Sequence, residues 1–162
     1  MDYFSNFPIM YYTLNQNNSV EVIRDITKRV GLSKELRESV LMYDPYVIMD
    51  GETPDMISTK VYGVPDYAWV ITTCNDMVGV DEWPFSQEDL WTIISKKYAD
   101  PLAIHHYENS NGRWVPVGTS LAIPMTNFDY ESKVNDAKRS IRLLKAQALS
   151  PFVDQFKEEL TK

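Results

Sequence analysis

The sequence holds a single cysteine, Cys74, so no disulfide can form within the chain. It falls in a helical pattern, where a small buried thiol is expected and not a reactive one. Histidine occurs only as the adjacent pair His105-His106. Neighbouring residues of a strand point to opposite faces. The two are therefore expected as ordinary sheet residues, not as joint ligands of one metal. No Cys/His spacing suits zinc, and no loop of alternate acidic residues suits calcium. Gly51, Gly63 and Gly79 stand apart as turn glycines, so a glycine-rich phosphate loop is missing too. The acidic pairs Asp81-Glu82 and Glu88-Asp89 read better as a solvated turn and a charged first helical turn than as glycosidase carboxylates. No catalytic residue, metal or cofactor is expected, and the chain reads as a non-enzyme.

No apolar run approaches the ~20 residues of a membrane span. Asp2 follows the first Met with no basic stretch ahead of an apolar one, so a secretion signal is not expected; synthesis and assembly in a cytoplasm are. A basic excess is also missing. The net charge of −7 argues against nucleic-acid binding and against adhesion to an anionic membrane or anionic wall polymers. Internal repeats and low-complexity tracts are absent. With 162 residues, 44% of them hydrophobic, the chain can bury a core as one domain, or as a small domain with substantial arms.

The most decisively organised stretch runs from Tyr46 to Asn75, YVIMDGETPDMISTKVYGVPDYAWVITTCN. Tyr46-Val47-Ile48-Met49 has the length and β propensity of a strand, and Asp50-Gly51 breaks it with turn chemistry. Thr53 is placed as a helix N-cap with Pro54 at the first helical position. Met56, Ile57, Lys60 and Val61 follow at helical spacing, and Gly63 ends the helix as a left-handed residue. Pro65 and Asp66 start a second helix with Trp69, Val70 and Thr73 on one side, and Asn75 closes it. Trp69 is expected in the core.

Gly51-Glu52-Thr53-Pro54, two short helices and a terminal Asn75 resemble a LysM module, whose usual pattern is Gly-Asp-Thr-Leu, two helices and Asn. A fuller string comprises Asp50 to Pro54, Tyr62-Gly63, Trp69-Val70-Ile71, Asn75 and Trp83-Pro84. It is flanked by Tyr3-Phe4-Ser5-Asn6-Phe7-Pro8 at one end and by Asn135-Asp136-Ala137-Lys138-Arg139 with Ile141 and Leu144 at the other. This string resembles the baseplate wedge subunits of T-even-type contractile-tailed bacteriophages, the gene 53 product family, over nearly the whole chain. The resemblance implies a structural subunit that joins other wedge proteins and the sheath-initiating subunit and fastens neighbouring wedges during virion assembly. It would be present in several copies, located in the tail baseplate and, during assembly, in the host cytoplasm. The LysM likeness implies an alternative, a cell-wall module binding N-acetylglucosamine polymers in a groove formed by Gly51, Glu52, Thr53, Asn75, Asp76 and Met77. Against that groove stands the reading in which these residues make the turns, with Asn75 bonding neighbouring backbone; Pro54 in place of the usual Leu favours it.

Outside this stretch, residues 1–14 hold Tyr3, Phe4, Phe7, Tyr11 and Tyr12 without periodicity. They either tuck onto the chain's own core or form an arm that docks on a partner. Asn15 to Ser19 is a polar loop. Val20 to Ile26 fits strand or helix, with strand preferred, and Ser33 caps a short helix bearing Leu36 and Val40. Pro45 makes Leu41 to Met49 extended. A LysM module would close with a strand after Asn75, yet no clean alternating run follows. Ser86 caps a helix with Leu90, Trp91, Ile94 and Tyr98 apolar, and residues 102–118 form a hairpin around Asn111-Gly112, with Pro116 confining its second strand to an edge. After an irregular connector, Thr126 or Asn127 caps a helix whose stripe is Tyr130, Val134, Ala137, Ile141 and Leu144. Ser150-Pro151 begins another with Phe152, Val153, Phe156 and Leu160. The narrow stripe suits a partner helix or this chain's own core equally.

The expected fold is α+β: 1–42 an arm with short elements, 43–100 a LysM-like core with the following helix, 101–125 a hairpin and connector, and 126–162 a C-terminal helical segment. Deleting that last segment is expected to leave the core folded. Tyr3, Phe4, Phe7, Tyr11, Val134, Ile141, Leu144, Phe152 and Phe156 are the candidate partner-binding residues.

Overall fold

Pro45 lies at the middle of the strand Tyr43–Val47, which pairs with Ser140–Leu144. Lys145 N–H donates to Met42 C=O and Ile48 N–H to Arg139 C=O, each at 2.9 Å, so the two strands run antiparallel. Bonded positions in such a ladder alternate, which leaves Pro45 at a position whose nitrogen faces away from the partner. The ring therefore costs the ladder nothing.

A computed structural model describes residues 3–13, 20–27 and 40–161. The fold is α+β. Its strands are β1 (Ile9–Thr13), β2 (Val20–Arg24), β3 (Tyr43–Val47), β4 (Ile104–Glu108), β5 (Trp114–Val115), β6 (Ile123–Thr126) and β7 (Ser140–Leu144). Its helices are α1 (Pro54–Tyr62), α2 (Ala68–Cys74), α3 (Gln87–Lys97), α4 (Asn127–Ala137) and α5 (Ala146–Thr161). The chain divides into two units that interleave along the sequence: unit 1 is Met1–Tyr46, Thr53–Val78 and Arg142–Lys162, and unit 2 is Val47–Glu52 and Gly79–Ile141. Neither coincides with any of the four consecutive segments read from the sequence.

Unit 1 is built on α1 and α2 as expected. Pro54 opens α1, and Gly63 ends it at φ 81°, its N–H returning to Thr59 C=O. A 3₁₀ turn, Pro65–Tyr67, leads into α2, which Asn75 closes. The strand before α1 starts earlier than the apolar run Tyr46–Met49 suggested, at Tyr43, while Val40–Met42 is a 3₁₀ turn and not extended. The core collects Tyr43, Val70, Cys74, Leu144, Phe152 and Val153. A second cluster joins Phe7, Phe156 and Leu160, with Trp69 packed against both.

The C-terminal reading needs the largest correction. The helix begun at Thr126 stops at Ala137, and Ser140–Leu144 is a strand. Ile141 and Leu144 therefore do not continue the stripe of Tyr130 and Val134. β7 is also the strand that pairs β3, supplied from far down the chain and not directly after Asn75. α5 begins at Ala146, ahead of the proposed cap at Ser150, and carries Pro151 one turn inside. The proline forfeits one ladder bond, while Phe152, Val153, Phe156 and Leu160 are all buried.

β1 and β2 pair antiparallel, Tyr11 opposite Val22. This upholds the strand reading from Val20 to Arg24, with Asp25 and Ile26 beyond the strand's end, and shows a strand in residues 1–14, where no periodicity pointed to one. The proposed loop Asn15–Ser19 and the cap at Ser33 with Leu36 lie outside the described residues.

Unit 2 is a three-stranded sheet, β5-β4-β6, with α3 and α4. Ser86 Oγ accepts the Asp89 N–H at 3.1 Å, and Thr126 Oγ1 accepts that of Asp129 at 3.0 Å, so both proposed caps form. In the hairpin turn Asn109 Oδ1 accepts the N–H groups of Asn111 and Arg113, with Gly112 at φ 71°. The connector read as irregular contains β6, whose Pro124 is tolerated because β6 is an edge strand.

Candidate functional site

Several residues of the sequence motif meet around the segment Val47–Glu52 of unit 2. Arg139, just past the C-terminus of α4, bonds Asp50 Oδ1 (3.0 Å), Asp136 Oδ1 (2.9 Å) and the carbonyl of Ile48 (3.3 Å). Asp50 Oδ1 also accepts the N–H of Gln87 at the start of α3 (3.1 Å). Trp83 Nε1–H donates to the Glu52 carbonyl at 2.8 Å. Asn135, almost fully buried, donates from Nδ2 to Phe85 C=O (3.0 Å) and accepts the Phe85 N–H on Oδ1 (2.8 Å). A planar guanidinium with five donors suits such a junction, which a lysine could not reproduce. The side chains tie these backbone segments together, with their polar atoms turned onto backbone and onto each other.

The proposed sugar-groove residues are distributed over both units: Gly51 and Glu52 belong to unit 2, and Thr53, Asn75, Asp76 and Met77 to unit 1. Gly51 takes φ 74°, and Glu52 Oε2 accepts the Met49 N–H (2.9 Å), tightening the same turn. Thr53 Oγ1 donates to Asp55 Oδ1 (2.6 Å). Asn75 Nδ2 donates to the carbonyls of Ile71 (2.8 Å) and Arg142 (2.9 Å), and Oδ1 accepts the Arg142 N–H (3.0 Å). Both amide hydrogens are thereby engaged within the protein. Asp76 takes the left-handed φ of 56° after α2, and Met77 N–H returns to Thr72 C=O (2.9 Å).

The candidate partner-binding residues separate into two groups. Leu144, Phe152 and Phe156 are buried in unit 1, and Ile141 is buried too, so none offers a surface to a partner. Phe7 is only 4% exposed, and Tyr3 sits among Phe7 (5.0 Å between centroids), Trp69 (5.5 Å) and Phe156 (6.1 Å). That part of the N-terminal segment tucks onto the chain's own core. Phe4, Tyr11 (74% exposed) and Val134 remain at the surface. Every residue of β1 and β2 is exposed, including Ile9, Tyr12, Val20 and Val22. Arg24 Nη1 holds the base of this ribbon through the carbonyls of Ser5 and Phe7, both at 2.9 Å.

Cys74 is fully buried, and burial pushes its thiol up to about 11, which removes the thiolate at neutral pH. Among the described residues no group of three or more His, Cys, Asp and Glu side chains is placed to hold a metal ion, and no helix is long and apolar enough to cross a membrane. A surface depression of about 510 Å³ in unit 2 is lined by Ile123, Met125, Asp129, Ser132, Lys133 and Asp136. Its charged groups are engaged elsewhere: Asp129 with Thr126, Lys133 with Glu108 and Asp136 with Arg139.

The histidines depart from the expected geometry. Ile104 pairs with Thr126 and His106 with Met125, so β4 carries one extra residue, His105, in a β-bulge. The bulge turns both rings toward each other, and their Nδ1 atoms lie 2.8 Å apart. Alternation along a strand does not survive such an insertion, and nothing in the local sequence signals it.

No protein-family model matches the chain, and no curated protein matches it either.

Proposed function

We propose that this chain is a non-enzymatic structural subunit of a contractile phage tail baseplate, joining wedge proteins and the sheath-initiating subunit and fastening neighbouring wedges. The observation that carries the reading is the β1–β2 ribbon. An isolated two-stranded hairpin is marginal in water, yet Ile9, Tyr11, Tyr12, Val20 and Val22 all face solvent in the isolated chain. Such an element gains its stability when a partner covers it, as aromatic and β-branched residues do at interface centres. The string that resembles the wedge subunits includes Asp50, Trp83, Asn135 and Arg139, whose side chains tie backbone together. That use of conspicuous polar residues suits a part that transmits load and holds shape. In this reading the chain occurs in several copies within the virion baseplate, assembles in the host cytoplasm, and binds neither nucleic acid nor membrane.

The test is co-expression with neighbouring tail proteins and size-exclusion chromatography, comparing the native chain with a Tyr11→Ser/Val22→Ser variant. Both positions are exposed, so the variant is expected to keep its circular dichroism and lose co-elution. Unchanged co-elution would remove the ribbon from the interface. Micromolar binding of N-acetylglucosamine oligomers, abolished in a folded Asn75 variant, would instead favour the wall-binding module.

A further inference from the structure

The bulge of β4 assembles a buried chain of polar groups that the structural role does not use. Glu108 is 7% exposed and His106 8%. His106 Nε2 meets Glu108 Oε1 at 3.1 Å, and His106 Nδ1 meets His105 Nδ1 at 2.8 Å. Lys133 Nζ, from α4, bonds both Glu108 oxygens at 2.9 Å. His106 stacks on Trp114 of β5 (4.0 Å between centroids), and His105 stacks on Tyr130 of α4 (4.2 Å). Tyr98, at the end of α3, lies edge-on to His105, and its hydroxyl donates to the Glu131 carboxylate, which Lys97 also holds.

These contacts dictate where the hydrogens sit. The lysine and the histidine hold the Glu108 carboxyl below the usual range, so it is ionised and only accepts. His106 Nε2 must then carry a hydrogen, and in the neutral ring Nδ1 is the lone pair. His105 must donate to it from Nδ1, which leaves the His105 lone pair on Nε2. A proton from solvent can be taken up at His105 Nε2 without disturbing either hydrogen bond, and it makes the His105–His106 bond charge-assisted. A second proton has only His106 Nδ1 to go to. It would set two N–H groups and two positive charges face to face across 2.8 Å.

We infer that His105 and His106 form a one-proton pair: the sheet of unit 2 accepts a single proton with its geometry intact, and a second opens the β4 bulge and releases Trp114. The pair is thus an acid-sensitive latch on the β5 edge.

Nitrogen-15 imidazole spectra of the full chain between pH 9 and 4 test it, with β4 amide protection and tryptophan fluorescence followed in parallel. The expected result is a hydrogen on Nε2 of His106 and on Nδ1 of His105 at high pH. One protonation then leaves β4 protection unchanged, and the second coincides with its loss. Two histidines titrating together, or an Nδ1–H on neutral His106, would overturn the inference. In a His105→Phe variant, which keeps a ring on Tyr130, protonation of His106 is expected to leave β4 protected. Opening of that variant at the same pH as the native chain would also overturn it. Should the variant not fold, the native titration decides alone.

Discussion

The side-chain amide of Asn75 pairs with the peptide of Arg142 as a neighbouring strand would, accepting its N–H at 3.0 Å and donating to its C=O at 2.9 Å. The end of α2 is thereby stitched to β7 through one residue. Unit 2 repeats the device, with Asn135 paired to both polar atoms of the Phe85 peptide. In each case a carboxamide, which carries a donor and an acceptor side by side, satisfies backbone that no strand reaches.

Asn75→Ala removes both bonds and leaves part-buried backbone groups of Arg142 unpaired. A cost of roughly 1–3 kcal/mol is expected. Urea unfolding should show a lower midpoint with an unchanged slope; an unaltered midpoint would mean that water replaces the amide at no cost.

Trp69 lies 4.6 Å from the Phe156 ring and 6.0 Å from Phe152, and it packs against both clusters of unit 1. Trp69→Ala is expected to cost about 3–5 kcal/mol. Its Nε1 is buried without a hydrogen-bond partner, so Trp69→Phe removes no bond and should cost less than half as much. Equal losses in the two variants would show that the indole nitrogen matters.

Ending the chain after Arg139 is expected to unfold unit 1, contrary to the expectation that residues 126–162 are dispensable to the core. The truncation deletes β7 and α5, and with them Leu144, Phe152, Val153, Phe156 and Leu160. Near-ultraviolet circular dichroism of the tryptophan and tyrosine bands reads the result. A native-like spectrum from the shortened chain would place the core elsewhere.

Acid should weaken unit 2 through Glu131 as well as Glu108. Burial alone would raise the Glu131 carboxyl, but the bonds from Lys97 (2.7 Å) and Tyr98 (2.7 Å) outweigh it and hold it below its usual range. A carboxyl depressed in the folded state contributes stability above its unfolded pKa, about 4.3, and loses it as pH falls through the lower folded value. Glu131→Gln is expected to flatten the decline of the unfolding midpoint below about pH 4.3. A variant with the same acid limb as the native chain would remove Glu131 from the account.

Local chemistry alone determined the elements whose partners lie within a few residues. Gly63 at φ 81°, the caps at Ser86 and Thr126, and the turn before Gly112 are satisfied by backbone three or four positions away, and Pro54 at the head of α1 has no N–H to satisfy. The aromatic residues of the N-terminal segment stand out in the sequence, but not their division into a tucked half at Tyr3 and Phe7 and an exposed half at Tyr11 and Tyr12. Tertiary structure decided the rest. Ile141 and Leu144 match a helical stripe and a strand equally well, and the demand of β3 for a ladder partner made them a strand. Pro151 reads as a helix start, yet burial of Phe152 and Phe156 carries the helix back through it to Ala146. One extra residue in β4 set His105 against His106. Such outcomes depend on partners distant in sequence, and no window of neighbouring residues contains them.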